Sequence, residues 1–150
     1  MVGDPETRKA MKAKALAKAQ TEARAAMAKN WIAENGVLTG AADGGTIGSA
    51  KNYENFELIL DWKTEGEAAM GIRSIPQIAL GGKNSGALTG NMLHDNAAPK
   101  AAANGPQEWN TMQVKVVSDR VTVVLNGVTT AENVILENAC NREIPAYAEG

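Results

Sequence analysis

Between Asn52 and Lys63 apolar and polar side chains alternate. Phe56, Leu58, Leu60 and Trp62 fall on one side, and Glu57, Ile59, Asp61 and Lys63 on the other. A period of two over this length predicts a strand with one strongly apolar face. Such a face needs a second layer to cover it. The same alternation returns in Glu108–Val117, where Met112, Val114 and Val116 are interleaved with Gln113 and Lys115. Ser118-Asp119 then predicts a turn, Arg120–Leu125 a strand and Asn126-Gly127 a second turn. Val128–Thr130 and Val134–Leu136 continue this meander. Shorter strands are predicted at Met70–Ile75 and Gln77–Leu80, around Pro76, which donates no hydrogen bond and marks an edge or a bulge. Trp31–Glu34 and Val37–Thr39 flank Asn35-Gly36, the signature of a type I′ hairpin. Residues 40–50 read as a loop with a short strand near Thr46-Ile47. Residues 81–86 form a glycine-rich loop, and 92–107 a long polar connection of the kind that is usually functional or mobile. Strands and turns at this spacing predict an antiparallel β-sandwich.

The N-terminal residues follow another period. Asp4 suits a helix cap, Pro5 the first helical position and Glu6 the positive end of the helix dipole. Residues 5–29 are rich in Ala, Lys, Glu and Gln, which are strong helix formers. Leu16, Ala19, Ala23, Ala26 and Met27 make one narrow apolar stripe whose small residues suit close packing. The sequence therefore reads as mainly β and as one domain over 1–150. An alanine-rich helix (5–29) precedes a β-sandwich core (30–150).

Composition narrows the function classes. At 150 residues with one cysteine, Cys140, the chain can bury a core without staples and has no internal disulfide framework or cysteine-based zinc site. A net charge of −2 argues against general nucleic-acid binding. No apolar run is long enough to span a membrane, and no signal peptide is recognisable at the N-terminus. Residues 1–30 carry seven Lys/Arg against three Asp/Glu, so the rest of the chain, with eight against fourteen, is acidic. This predicts a helix with a solvated basic face.

Chemistry-bearing motifs are few. His94 is the only histidine and is followed by Asp95, but neighbours on an extended chain point apart. A His94–Cys140 nucleophile pair would need the fold to bring the two together. One histidine cannot build a histidine-based metal site, and no cofactor or metal is expected. There is no phosphate loop or nucleophile elbow. Glu108-Trp109-Asn110 reads as structural, with Trp109 filling core and Asn110 tying a turn. The two Asn-Gly pairs read as turn chemistry alone.

The order of segments resembles the 3-keto-disaccharide hydrolase domain family. The resemblance is carried by Asn-Trp-Ile-Ala-Glu-Asn-Gly-Val-Leu-Thr-Gly (30–40), Ala-Lys-Asn-Tyr-Glu-Asn-Phe-Glu-Leu (50–58) and Gln-Glu-Trp-Asn-Thr-Met (107–112). Arg-Val-Thr-Val-Val-Leu-Asn-Gly (120–127), Val-Ile-Leu-Glu-Asn (134–138) and Arg-Glu-Ile-Pro (142–145) fit it too. The resemblance implies a concanavalin A-like jelly roll with a carbohydrate site on its concave sheet. It also implies an exported protein, and cleavage of glycosides oxidised to a ketone at C3. By that resemblance Arg73 and Gln77 would hold the sugar, and Glu67 would act as the proton-moving carboxylate.

Several positions depart from the family pattern. Arg73 and Pro76 fall in register, but Asn-Ser-Gly of the family is Glu67-Ala68-Ala69 here, its Tyr is Gly71, its Gln is Ala79 and its closing Asp is Gly82. Thr89 and Val124 stand where the family often has Tyr, and Ala139-Cys140-Asn141 where it has Tyr-Trp-Asp. Its first and last strands have no counterpart. These features fit a trimmed, redesigned or divergent member, and they carry a second expectation: a non-catalytic scaffold that assembles as a homo-oligomer through exposed sheet edges. The expected partner of the first reading is a carbohydrate or another small molecule.

Overall fold

The computed structural model describes residues 5–41, 45–49, 51, 53–72, 76–90 and 101–136. The chain forms two compact units, Met1–Asn52 and Tyr53–Gly150.

The first unit opens with two helices, α1 (Pro5–Ala10) and α2 (Ala13–Asn30), where the sequence predicts one. Met11 N–H donates to the Arg8 carbonyl at 3.3 Å, and Lys12 leaves the helical region at φ −63°, ψ 143°. No Gly or Pro marks this break. The predicted cap, Asp4, lies outside the described residues. α2 runs straight into β1 (Trp31–Glu34), whose first N–H still bonds to the Met27 carbonyl. β1 pairs antiparallel with β2 (Val37–Gly40) around Asn35 (φ 51°) and Gly36 (φ 77°). Both positive φ values are those the Asn-Gly pair predicts for a type I′ turn. No residue of α2 is buried, so the apolar stripe lies partly open, with Met27 exposed. The strand expected near Thr46-Ile47 does not form; these residues have no regular structure.

The second unit is mainly antiparallel β. One sheet has the order β3-β7-β8-β9, with β3 at Phe56–Trp62, β7 at Asn110–Val117, β8 at Arg120–Leu125 and β9 at Val128–Ile135. A second has the order β4-β5-β6, with β4 at Ala68–Gly71, β5 at Gln77–Leu80 and β6 at Leu88–Thr89. The predicted alternation is obeyed closely. Met112, Val114, Val116, Val121, Val123 and Leu125 are fully buried, and Phe56, Leu58 and Leu60 pack against them. Ile72, Ile78 and Leu88 of the smaller sheet and its flanks join the same core. Burying one such side chain contributes about 1.5–3 kcal/mol, so the inner faces of these two sheets hold this unit together. No closed barrel forms among the described residues.

Several strand limits differ from expectation. β4 begins at Ala68 and ends at Gly71, where a strand from Met70 to Ile75 was expected, and β7 begins at Asn110 rather than Glu108. β9 is one strand where two were expected. It carries register shifts against β8 and an Asn133 at φ 51°, which let it pass through the polar residues Glu132 and Asn133. β6 is only two residues long, too short to leave a periodic signal.

Candidate functional site

Beyond the C-terminal end of β3, three loops surround a cleft of about 250 Å³. Trp62 is the last residue of β3 and lines it together with Thr64 and Glu65 of the β3–β4 loop. Gly81, Gly82, Lys83 and Ser85 contribute from the β5–β6 loop, and Asn104, Gly105, Pro106 and Asn110 from the approach to β7.

Backbone conformation sets the wall at the β5–β6 loop. Gly81 has φ 77°, and a Cβ there would run into the Gly66 carbonyl oxygen. That close approach and the left-handed φ both require glycine. Gly82 has φ 68°, and a Cβ on it would stand 3.3 Å from Glu67 Cγ. Ser85, buried, donates from Oγ to the Gly82 carbonyl at 3.0 Å and pins the turn.

The opposite wall is tied by amides. Asn110, buried, sits opposite Trp62 in the β3–β7 register. Its Oδ1 accepts from Asn104 N–H and from Asn126 Nδ2, both at 2.8 Å, and its Nδ2 donates to the Glu108 carbonyl at 3.0 Å. Asn126 also donates to the Ala102 carbonyl at 2.8 Å and accepts from Thr111 N–H at 2.9 Å. Asn126-Gly127 is therefore more than turn chemistry: its Asn anchors the segment that forms the cleft wall. Gln107, at φ 63°, donates its N–H to the Thr64 carbonyl at 3.2 Å and its side-chain amide to Glu65 Oε1. Glu108 Oε2 accepts from Gly105 N–H at 2.9 Å.

Trp109 does not fill core as its sequence context suggests. It is 48% exposed, with Lys63 Nζ 5.0 Å from its ring centroid. The reason is parity: Asn110, Met112, Val114 and Val116 point inward, so residue 109 points out.

The residues expected to form the site are dispersed. Gln77 is exposed on the outer face of the smaller sheet, opposite Gly71 and Thr89. Thr89 Oγ1 donates to its carbonyl at 3.4 Å. The outer face continues as Ala69 opposite Ala79, so it carries small side chains. Glu67 is exposed at the other end, immediately before β4 and against Gly82 on the cleft rim. Gly71, the partner of Gln77, is four positions on from Glu67, so the strand spacing sets the two sites roughly 13 Å apart. Arg73, His94 and Cys140 lie outside the described residues. Glu65, Lys83, Asn104 and Asn110 were not anticipated as cleft residues. Their convergence depends on pairings such as Glu65–Gln107 that no local pattern encodes.

Among the described residues no group of three or more His, Cys, Asp or Glu could hold a metal ion. No described helix is long and apolar enough to cross a membrane. What the cleft offers is a carboxylate, an ammonium group, amide groups, a hydroxyl and an indole around a small recess.

Residues 13–150 match a domain family described as 3-keto-alpha-glucoside-1,2-lyase-like, a family with a jelly-roll fold. No curated protein and no solved structure gave a match.

Proposed function

The chain belongs to the 3-keto-alpha-glucoside-1,2-lyase-like domain family, and on that premise we propose that it is a carbohydrate-active domain for glycosides carrying a ketone at C3. The observation that supports this most is the family match over residues 13–150. The cleft beyond Trp62 is the substrate site in this reading, because it is the recess where a carboxylate, amides and an indole converge.

The chemistry follows from the ketone. A carbonyl at C3 acidifies the C2–H bond. A carboxylate takes that proton, the electron pair forms the C1=C2 bond, and the C1–O bond breaks. The aglycone leaves on its oxygen and takes up a proton. Water adding across C1=C2 then gives the free 3-keto sugar, so elimination and hydration together amount to hydrolysis. Glu67, which lies beside the cleft-lining Gly82 and is not itself one of the lining residues, is the carboxylate assigned to the proton transfer. Gln77, on the outer face of the smaller sheet, holds the remainder of the substrate together with Arg73. The separation of Gln77 from Glu67 suits contact with a second sugar ring rather than with the reacting one.

The test is turnover of a 3-keto-glucoside, followed as aglycone release and ketone loss. Removing a positioned base costs about 10²–10⁴-fold, so Glu67→Gln should lower kcat by at least about 100-fold with KM nearly unchanged. No turnover by protein that melts cooperatively would overturn the catalytic reading. It would favour a second one, a non-catalytic scaffold or binding domain, which the small side chains at Ala69, Gly71 and Ala79 support.

A further inference from the structure

Asn-Gly stands at two hairpin turns, Asn35-Gly36 and Asn126-Gly127, and once more in the segment before β7, at Asn104-Gly105. Glycine after asparagine opens a spontaneous reaction, because no side chain shields its nitrogen. That nitrogen attacks Cγ of the asparagine and gives up its proton. The new C–N bond closes a succinimide ring, the Cγ–Nδ2 bond breaks, and the amide nitrogen leaves as ammonia. Water then opens the ring at either carbonyl, which leaves a carboxylate on a normal or a lengthened main chain. Cyclisation needs a side chain free to turn and a glycine nitrogen free to attack.

The two turns differ in little but their side-chain bonding. Asn35 and Gly36 have φ 51° and 77°, and Asn126 and Gly127 have φ 48° and 81°. A Cβ on either glycine would meet no atom within 4 Å, and valine follows in both. Asn126 Nδ2 donates to the Ala102 carbonyl and to Asn110 Oδ1, both at 2.8 Å, and its Oδ1 accepts from Thr111 N–H at 2.9 Å. Turning that amide toward the Gly127 nitrogen breaks these bonds. Asn104, although exposed, is held too. Its Nδ2 donates to the Trp109 carbonyl at 2.8 Å, and Gly105 N–H, the group that would attack, donates to Glu108 Oε2 at 2.9 Å. A carboxylate on that N–H opposes the loss of its proton. Asn35 is exposed, and among the described residues no hydrogen bond holds its side chain. The hairpin that carries it has two strands only, and it opens more readily than the four-stranded sheet.

We propose that Asn35 is a site of spontaneous deamidation in the folded protein, while the hydrogen bonds of the cleft wall protect the same dipeptide at Asn104 and Asn126. Conversion at Asn35 sets a second carboxylate beside Glu34. The lengthened product also adds a main-chain carbon inside the turn, which displaces Glu34 from its partner Val37. The damage falls on the hairpin of the first unit and spares the cleft.

The full chain is incubated at mildly alkaline pH, and after digestion the peptides carrying Asn35, Asn104 and Asn126 are followed by mass spectrometry. A parallel sample is kept unfolded in guanidinium chloride. In the folded protein Asn35 should convert at least about tenfold faster than Asn104 or Asn126, the factor that one or two hydrogen bonds supply. In guanidinium the three rates should fall within about threefold of one another, because the bonds that distinguish them are gone. Asn110→Ala removes one acceptor of the Asn126 amide and should raise the rate at Asn126 at least about threefold, with Asn35 unchanged. Equal rates at Asn35 and Asn126 in the folded chain overturn the proposal. So does an order that persists undiminished in guanidinium, since the sequence and not the fold would then set it. An Asn126 rate untouched by Asn110→Ala rejects protection by these bonds. Where that variant does not fold, the comparison of folded with unfolded wild type decides.

Discussion

The β3-β7-β8-β9 sheet and the helix-hairpin unit before it start from equally regular patterns and end with opposite burial. On β7 every second residue is buried, from Asn110 to Val116. On α2 the stripe from Leu16 to Met27 repeats at helical spacing, yet no residue of the helix is buried. The hairpin is similar: Ile32 is 63% exposed and Leu38 50%. The difference lies in the neighbours each element has. β7 lies between β3 and β8, so its inward side chains meet others on both sides. β1 and β2 pair only with each other among the described residues, and a lone two-stranded hairpin is marginal in water. A stripe made mostly of alanine also removes little apolar area per turn. Periodicity says which face can be buried; the supply of partners decides whether it is.

The largest effect that follows belongs to the centre of the sheet. Met112 is fully buried between β3, where it faces Leu60, and β8, where it faces Leu125. Met112→Ala should cost about 2–5 kcal/mol, through lost burial and the cavity left behind. Urea unfolding followed by far-ultraviolet circular dichroism measures it. A loss below about 1 kcal/mol would mean that the sheet closes over the gap, and the contrast between the units would lose its basis.

A second substitution asks whether the cleft wall shares in that stability. Asn110 is buried and joins Asn104, Glu108 and Asn126 through three hydrogen bonds. Asn110→Ala leaves these groups without their partner and should cost about 1–3 kcal/mol. Amide exchange should accelerate at Asn104, whose N–H it accepts, before it does at Val114. Equal protection at Asn104 in both proteins would show that the wall is held by the Gln107 contacts to Thr64 and Glu65 instead.

Much of the second unit was legible because its strands carry a strict period of two. Phe56 to Trp62 and Met112 to Val116 state their inward faces directly, and Asn126-Gly127 states its turn. The parity that turns Trp109 outward was also in the sequence, since Met112 and Val114 fix it; the ring's size argued the other way. The cleft was less legible for a physical reason. It is closed by contacts between residues far apart in sequence, such as Asn110 with Asn126. The helix break at Met11-Lys12 left no composition signal at all.

The smallest expected effect sharpens the comparison most. Ile32 faces Thr39 across the hairpin and stands exposed, so Ile32→Thr removes little buried area and keeps a β-branched residue in the strand. The change should stay within about 0.5 kcal/mol, as for exposed sites generally. The matching change in the sheet, Val114→Thr, sets a hydroxyl into a fully buried position and should cost several times more. Thermal melts of both variants beside the parent give the ratio. A cost above about 1.5 kcal/mol for Ile32→Thr would mean that this face is covered in solution. Repeating the melt over a hundredfold range of protein concentration would then identify the cover. A midpoint that rises with concentration in the parent and not in the variant assigns it to a second copy of the chain, since mass action stabilises only what associates.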